Sequence, residues 1–177
     1  MCAVIGGRDA TTNDIIVKKH AEKGDLVFHT ELPGSPFVII KSEGKTIPQK
    51  SIDEAALFCA SHSRSWSEGR TIADVYCVEP DQVKKELGLP KGTFMVHGKR
   101  TYFKPTIGLA VGMYEGKIKI APESTIKRHC EKYFKVVLGN DKKSDVAKKI
   151  RKVIGGELDE IMQALPPGEA KIIESKS

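Results

Sequence analysis

The chain has 177 residues, 40% hydrophobic and 29% charged, the composition of an ordinary soluble globular protein with one sizeable core, or a core with a small appended unit. No apolar run approaches the roughly 20 residues that cross a bilayer, and no basic flank leads into an apolar stretch at the N-terminus, so no membrane partner and no secretory signal are expected and the location is taken as cytoplasmic. The net charge of +6 is uneven: residues 1–98 carry −1 and residues 99–177 carry +7, and the stretch 99–152 holds 15 basic against 5 acidic side chains.

The first distinctive stretch is Gly6-Gly7-Arg8-Asp9-Ala10-Thr11-Thr12-Asn13-Asp14. Paired glycines allow a tight backbone, and Thr-Thr-Asn-Asp supplies side chains that cap a helix. Free N–H groups at such a terminus, with an arginine just before it, make a candidate anion site. No Gly-Lys-Ser/Thr closes a P-loop here, and the pattern is not GxGxxG. A helix is expected from near Asn13 to near Glu22, with Lys23-Gly24-Asp25 ending it. Leu26 to His29 and Phe37 to Lys41 read as strands joined by the turn Pro33-Gly34-Ser35-Pro36.

Ser51-Ile52-Asp53-Glu54 has the form of a capping box, with Ser51 as N-cap. The helix behind it places Ile52, Ala55, Ala56, Cys59, Ala60 and Ser63 on one narrow stripe, delivers Ser63-Arg64-Ser65-Trp66 toward the surface and stops at Gly69. Ile72 to Val78 reads as a strand and Pro80 to Leu87 as a short helix. Thr93 to His97 and Thr101 to Lys104 read as a hairpin with the basic tip Gly98-Lys99-Arg100, and Leu109 to Tyr114 with Lys117 to Ala121 as a second hairpin around Glu115-Gly116. Pro122 opens a helix, Lys135 to Leu138 is a strand, and Ser144 is the expected cap of a helix with Val146, Ala147, Ile150 and Ile154 on one side. Gly155-Gly156 ends it, and Leu158, Ile161, Met162 and Leu165 form a last amphipathic turn. Strands and helices mix without regular βα alternation, which gives an α+β fold with a mixed, mainly antiparallel sheet and helices packed on it.

A basic half attracts polyanions through its long-range field and through counterion release, which favours nucleic acid over the common alternative of a merely solvated lysine-rich surface. The candidate phosphate contacts are Arg8, Arg64, Lys99, Arg100, Lys142, Lys143, Lys148 and Lys149. Trp66 is a candidate for stacking on an unpaired base, against the alternative of a ring packed over the core edge. His29 ends a strand before a turn, where a histidine more often fixes the loop than acts as base or metal ligand. Cys2, Cys59, Cys77 and Cys130 show neither CxxC nor zinc-finger spacing, so reduced structural thiols are expected and no metal or cofactor. No nucleophile elbow, HExxH or kinase-like set is present, so the chain is not expected to be an enzyme. Asp9 and Asp14 flank the Gly-Gly-Arg loop, and for Asp14 a helix-dipole role is simpler than a divalent-ion site.

Several words recur in a fixed order: the Gly6–Asp14 loop, Asp25-Leu26-Val27-Phe28-His29, Pro33-Gly34-Ser35-Pro36-Phe37, Glu54-Ala55-Ala56 to Ser63-Arg64-Ser65-Trp66, Asp74-Val75-Tyr76 with Pro80-Asp81-Gln82-Val83, and Leu89-Pro90-Lys91-Gly92-Thr93-Phe94-Met95 with Gly98-Lys99-Arg100. Together they closely resemble the NFACT-R domain, the RNA-binding module at the C-terminus of NEMF-type ribosome quality-control factors, also found free-standing. The similarity is nearest to archaeal versions and extends through Gly139 and Lys142-Lys143-Ser144-Asp145 to Leu165-Pro166-Pro167-Gly168. The organisation expected is one NFACT-R-like domain over 1–168, with a core at 1–104, a basic α/β part at 105–168 and a flexible tail at 169–177.

The resemblance implies a non-enzymatic module that binds tRNA or rRNA on the large ribosomal subunit, in translation and the rescue of stalled ribosomes. It also implies that the Gly-Arg loop and the strand ending in His29 share one functional surface, which carries over Gly7, Arg8, Asn13, His29 and Ser63. Val27 and Pro36 stand where many family members have Trp and His, so this loop lacks stacking and hydrogen-bonding groups found elsewhere. The chain has no room for the N-terminal NFACT domain, the helix-hairpin-helix or the coiled coil, and a protein partner supplying those regions is expected. Two other functions remain open from the residues: a protein–protein adaptor using the basic surface, and a phosphate-handling enzyme at the Gly6–Asp14 loop.

Overall fold

The computed structural model describes residues 2–176. Its contacts divide the chain into two compact units, Met1–Ser63 with Ile72–Pro105, and Arg64–Thr71 with Thr106–Ser177. Both are α+β, and every strand pairing among the described residues is antiparallel.

In the first unit the elements are β1 (Val4–Gly6), α1 (Ala10–Ile15, continuing as a π-helical turn Ile16–His20), β2 (Leu26–Thr30), β3 (Val38–Ile40), α2 (Gln49–Ser61), β4 (Val75–Val78), a 3₁₀ turn (Pro80–Gln82), β5 (Val83–Lys84), β6 (Met95–Val96) and β7 (Thr101–Phe103). The main sheet has the order β1-β3-β2-β4-β7. β3 and β4 are buried along their whole length, so they read as continuous apolar runs instead of alternating ones. Val27, Ile39, Tyr76 and Val78 turn to one face and pack with Ile16, Phe37 and Val83. Phe28, Val38, Ile40, Val75 and Cys77 alternate to the other face, which α2 covers. Ala55, Ala56, Cys59 and Ala60 let that helix approach the sheet closely. Each of the large apolar side chains so buried contributes about 1.5–3 kcal/mol relative to exposure.

A buried ion pair joins the residue before β2 to the residue after β3. Asp25 is 2% exposed, takes hydrogen bonds from the N–H groups of Glu22 and Ser42 at 2.9 Å each, and meets Lys41 Nζ at 2.5 Å. Burial pushes the Asp25 carboxyl up, but the Lys41 hydrogen bond and the two backbone donors outweigh it and hold the group below the usual carboxylate range.

The second unit contains α3 (Arg64–Ser67), β8 (Leu109–Tyr114), β9 (Lys117–Ala121), α4 (Glu123–His129), β10 (Lys132–Asp141), α5 (Lys143–Ile154), α6 (Leu158–Ala164) and β11 (Ala170–Lys176). Its sheet has the order β11-β10-β8-β9. α4 lies on one face, where Ile126 and Cys130 pack with Ala110 and Tyr133. Gly112 admits this helix, since a Cβ there would stand 2.7 Å from Cys130 Sγ. On the opposite face α5 and α6 pack through Val146, Ala147, Ile150 and Ile161.

Several expected boundaries move. The helix expected from Asn13 starts at Ala10, because Asp9 and Thr12 cap it. Ser51 and Ser144 are not N-caps: α2 begins after Pro48 and α5 after Lys142, both in extended backbone with no side-chain cap. The stretch 80–87 is a single 3₁₀ turn and then β5. The strands around Gly98-Lys99-Arg100 do not pair with each other: β6 pairs with β5 and β7 with β4. The tail after Gly168 is strand β11, whose residues Ala170 to Lys176 pair with β10 from Lys132 to Asp141. The two hairpins β2–β3 and β8–β9 lie where the sequence places them.

Candidate nucleic-acid interface

The Gly-Arg loop between β1 and α1 is closed by the protein's own groups. Gly7 N–H donates to Phe37 O at 3.0 Å, and the N–H groups of Arg8 and Asp9 donate to Thr12 Oγ1 at 2.7 and 2.9 Å. Asp9 Oδ1 takes the Thr12 N–H at 2.8 Å, and that bond, with the Thr12 hydroxyl, holds its carboxyl below the usual range. A carboxylate therefore occupies the place an anion would take, and four backbone donors of the loop are already used. The anion site expected there is not formed. Asp14 is engaged by the protein as well: it pairs with Lys18 and takes the Gly92 N–H at 2.8 Å, which together lower its carboxyl to about 2.

Gly7 is required by close approach, since a Cβ would lie 2.9 Å from Asn13 N. Asn13 Oδ1 accepts the Phe37 N–H at 3.0 Å. Phe37 in turn packs against His29 in a tilted arrangement, with ring centroids 4.4 Å apart. Phe37 thus ties Gly7, Asn13 and His29 into one structural patch; the sequence carries it only as the last residue of the Pro33–Phe37 motif and not among the site candidates. Arg8 stands out from this patch: it is exposed, and its guanidinium has no hydrogen bond or ion pair among the described residues.

His29 Nδ1 is 2.8 Å from Thr30 O. Because a carbonyl only accepts, that nitrogen carries the proton and Nε2 is left with its lone pair. Burial lowers the imidazole below its ordinary value, so it is neutral near pH 7. Across the sheet His29 stands opposite Tyr76, and Tyr76 opposite Tyr102. The Arg100 guanidinium lies 4.4 Å over the Tyr76 ring and pairs with Glu31 at 3.2 Å. Burial pushes the Tyr76 phenol up to about 12. Lys99 is exposed at the basic turn beside this row. Tyr102, 55% exposed on the edge strand β7, is a flat surface group missing from the sequence-derived set; its signal is the run Lys99-Arg100-Thr101-Tyr102-Phe103-Lys104.

Two candidates are interior groups. Ser63 is 2% exposed and its hydroxyl donates to Ala60 O at 2.7 Å, closing the last turn of α2. Trp66, in the second unit, is 1% exposed, and its indole N–H donates to Glu169 O at 2.9 Å. Gly168 packs on it, where a Cβ would lie 3.2 Å from Trp66 Cδ1. As folded, neither offers a face to a nucleotide, and Trp66 is the core-edge ring of the two alternatives. Arg64 next to it is exposed.

The lysines of α5 share the helix but not one electrostatic state. Lys149 pairs with Asp141 at 2.8 Å, and Lys148 approaches Asp145 at 4.0 Å. Lys143 is half-buried, and desolvation lowers its ammonium. Lys142 and Lys152 are exposed without an ion pair among the described residues. Lys119 and Lys135 stand with Gly112 and Ala110 on the sheet face that α4 covers, away from α5. The basic stretch 99–152 is therefore divided between both sides of one sheet and the first unit. Among the described residues no group of three or more His, Cys, Asp or Glu is placed to hold a metal ion, and no helix is long and apolar enough to cross a membrane.

The chain is 37% identical to the archaeal Rqc2 homolog aRqcH of Methanocaldococcus jannaschii, over 97% of this chain and 27% of that protein. It is 36% identical to the ribosome quality control complex subunit NEMF homolog of Drosophila melanogaster, over 71% of this chain and 13% of that one. Human ribosome quality control complex subunit NEMF is 34% identical over 58% of this chain and 10% of its own length. The chain thus spans about a quarter or less of these relatives. The C-terminal part of the fibronectin/fibrinogen-binding protein from Streptococcus suis shares the fold, with a TM-score of 0.52 and 24% identity over 59% of this chain and 41% of that one. The family model for the NFACT protein RNA binding domain matches residues 1–98, more than half of the sequence, and the chain belongs to that family.

Proposed function

We propose that this protein binds RNA in ribosome quality control, that its ligand is tRNA or rRNA on the large ribosomal subunit, and that it works in the cytoplasm by binding and not by catalysis. The observation that carries this is the RNA-binding family match over residues 1–98, which falls on the unit that presents Arg8, Lys99 and the tyrosine row. The relatives named as ribosome quality-control proteins support the process. The acid–base groups nearest the loop support binding over chemistry, because Asp9, Asp14 and His29 are all held in structural hydrogen bonds.

Affinity should be mainly electrostatic and fall steeply with salt. The test is crosslinking in cells followed by sequencing of the attached RNA, which should return tRNA or large-subunit rRNA. Recovery of an acidic protein that survives nuclease digestion, with no enriched RNA, would replace this function by that of an adaptor. In a filter assay, Arg8→Glu with Lys99→Glu should weaken retention more than Lys148→Glu with Lys149→Glu, since the latter pair is already matched by Asp145 and Asp141.

A further inference from the structure

The edge strand of the first sheet, β7, lies outside the matched residues 1–98. β7 is the terminal strand of the order β1-β3-β2-β4-β7. Tyr102 sits at its centre, 55% exposed, opposite the buried Tyr76. The two rings meet edge to face, with centroids 6.4 Å apart. Tyr76 itself packs near His29, with centroids 6.0 Å apart, and carries the Arg100 guanidinium 4.4 Å over its ring. Tyr102 is thus an aromatic ring with one side backed by an ordered row and a large part open to solvent. An isolated exposed tyrosine needs no explanation, but this one is bracketed by cations. Lys99 is exposed at the preceding turn, and Lys104 follows Tyr102 by two residues, 76% exposed and only loosely paired with Asp74 at 3.7 Å. Arg100 is locked by Glu31 and by Val96 O, so little freedom remains to be lost there on binding.

We infer that the β7 edge is a single-nucleotide stacking site, in which an unpaired RNA base lies on Tyr102 while Lys99 and Lys104 meet the phosphates on either side. This rests on the RNA-binding function proposed above. The chemistry matches the requirement of unpaired RNA, a π-face for the base and mobile point charges for its backbone. A duplex hides its base faces and cannot use the ring, so the site distinguishes single-stranded from paired RNA. The Tyr102 hydroxyl is not needed for stacking.

The experiment is fluorescence anisotropy of the full chain with a labelled single-stranded RNA of about ten nucleotides, and with the same strand annealed to its complement. Tyr102→Leu keeps an apolar side chain and removes the π-face. It should weaken single-strand binding about tenfold, leave duplex binding unchanged and leave the salt slope unaltered. Tyr102→Phe should bind like wild type, and Tyr102→Trp at least as tightly, which separates stacking from misfolding. If Tyr102→Leu binds single strands like wild type, or loses duplex binding equally, the stacking site is wrong although RNA binding stands. If wild type binds neither RNA, the RNA function itself fails and takes this site with it.

Discussion

Replacing Trp66 by Phe separates a structural ring from a nucleotide-stacking one. The indole is 1% exposed and its N–H donates to Glu169 O at 2.9 Å, immediately before β11. Phenylalanine keeps part of the ring but removes the donor, leaving a carbonyl without its partner at a cost of about 1–3 kcal/mol. The lost ring area and imperfectly filled space add roughly 1–2 kcal/mol, within the range that core truncations show. The total is about 2–5 kcal/mol, or a fall in Tm of roughly 4–20 °C for a chain of this size. Thermal unfolding followed by far-UV circular dichroism measures it, because the substitution deletes the chain's one tryptophan fluorophore. RNA affinity of the folded variant should equal that of wild type. A variant with unchanged Tm and weakened RNA binding would refute the argument, since it would mean that the ring leaves the core to meet the ligand.

Asp25→Asn should destabilise the first unit by about 3 kcal/mol, the low end for breaking a buried pair, because Lys41 keeps Glu22 at 2.9 Å. Urea titration reads this, and adding Lys41→Met should recover much of the loss; additive losses would show that the pair does not act as a unit. His29 gives a pH dependence of definite sign. Its folded pKa lies below the unfolded value of about 6.5, so its contribution is complete above that pH and declines as pH falls through the folded value. NMR titration should place the His29 midpoint below 6.5, and His29→Gln should flatten the stability profile over that window. A midpoint above 6.5 would contradict the buried, neutral imidazole.

The sequence made the hairpins legible because their information is local. Pro33-Gly34-Ser35-Pro36 and Glu115-Gly116 specify a chain reversal by backbone preference, and β2–β3 and β8–β9 follow. Gly98-Lys99-Arg100 carried the same kind of signal and misled. Gly98 does take a left-handed φ of 79°, but the Gln82 side-chain amide donates to both His97 O and Lys99 O. The turn is thereby fixed to the segment at 82, and β6 and β7 are sent to different sheets. β11 was illegible for a related reason. Ala170 to Lys176 has a polar composition suited to a frayed end, and only the length of β10 provides the template that orders it.

The candidate site shows the difference between charge as a count and charge as an available group. The stretch 99–152 has the largest excess in the sequence, yet Lys149 and Lys148 lie beside Asp141 and Asp145, and the remaining cations divide between two sides of a sheet. The family match instead lies on residues 1–98, whose net charge is −1. A nearly neutral unit can still attract RNA if its cations are exposed and its anions are used internally. Asp9 caps α1, Asp14 holds the Gly92 loop, Asp25 is buried against Lys41, and Glu31 anchors Arg100. Each of those carboxylates is tied to a local partner, whereas Arg8 and Lys99 remain exposed and without ion pairs among the described residues. The field a phosphate meets at short range is set by such unpaired groups, because ions screen the net charge beyond roughly 8–10 Å at ordinary salt. The pairing pattern, which spans residues far apart in the chain, is what the sequence count cannot contain.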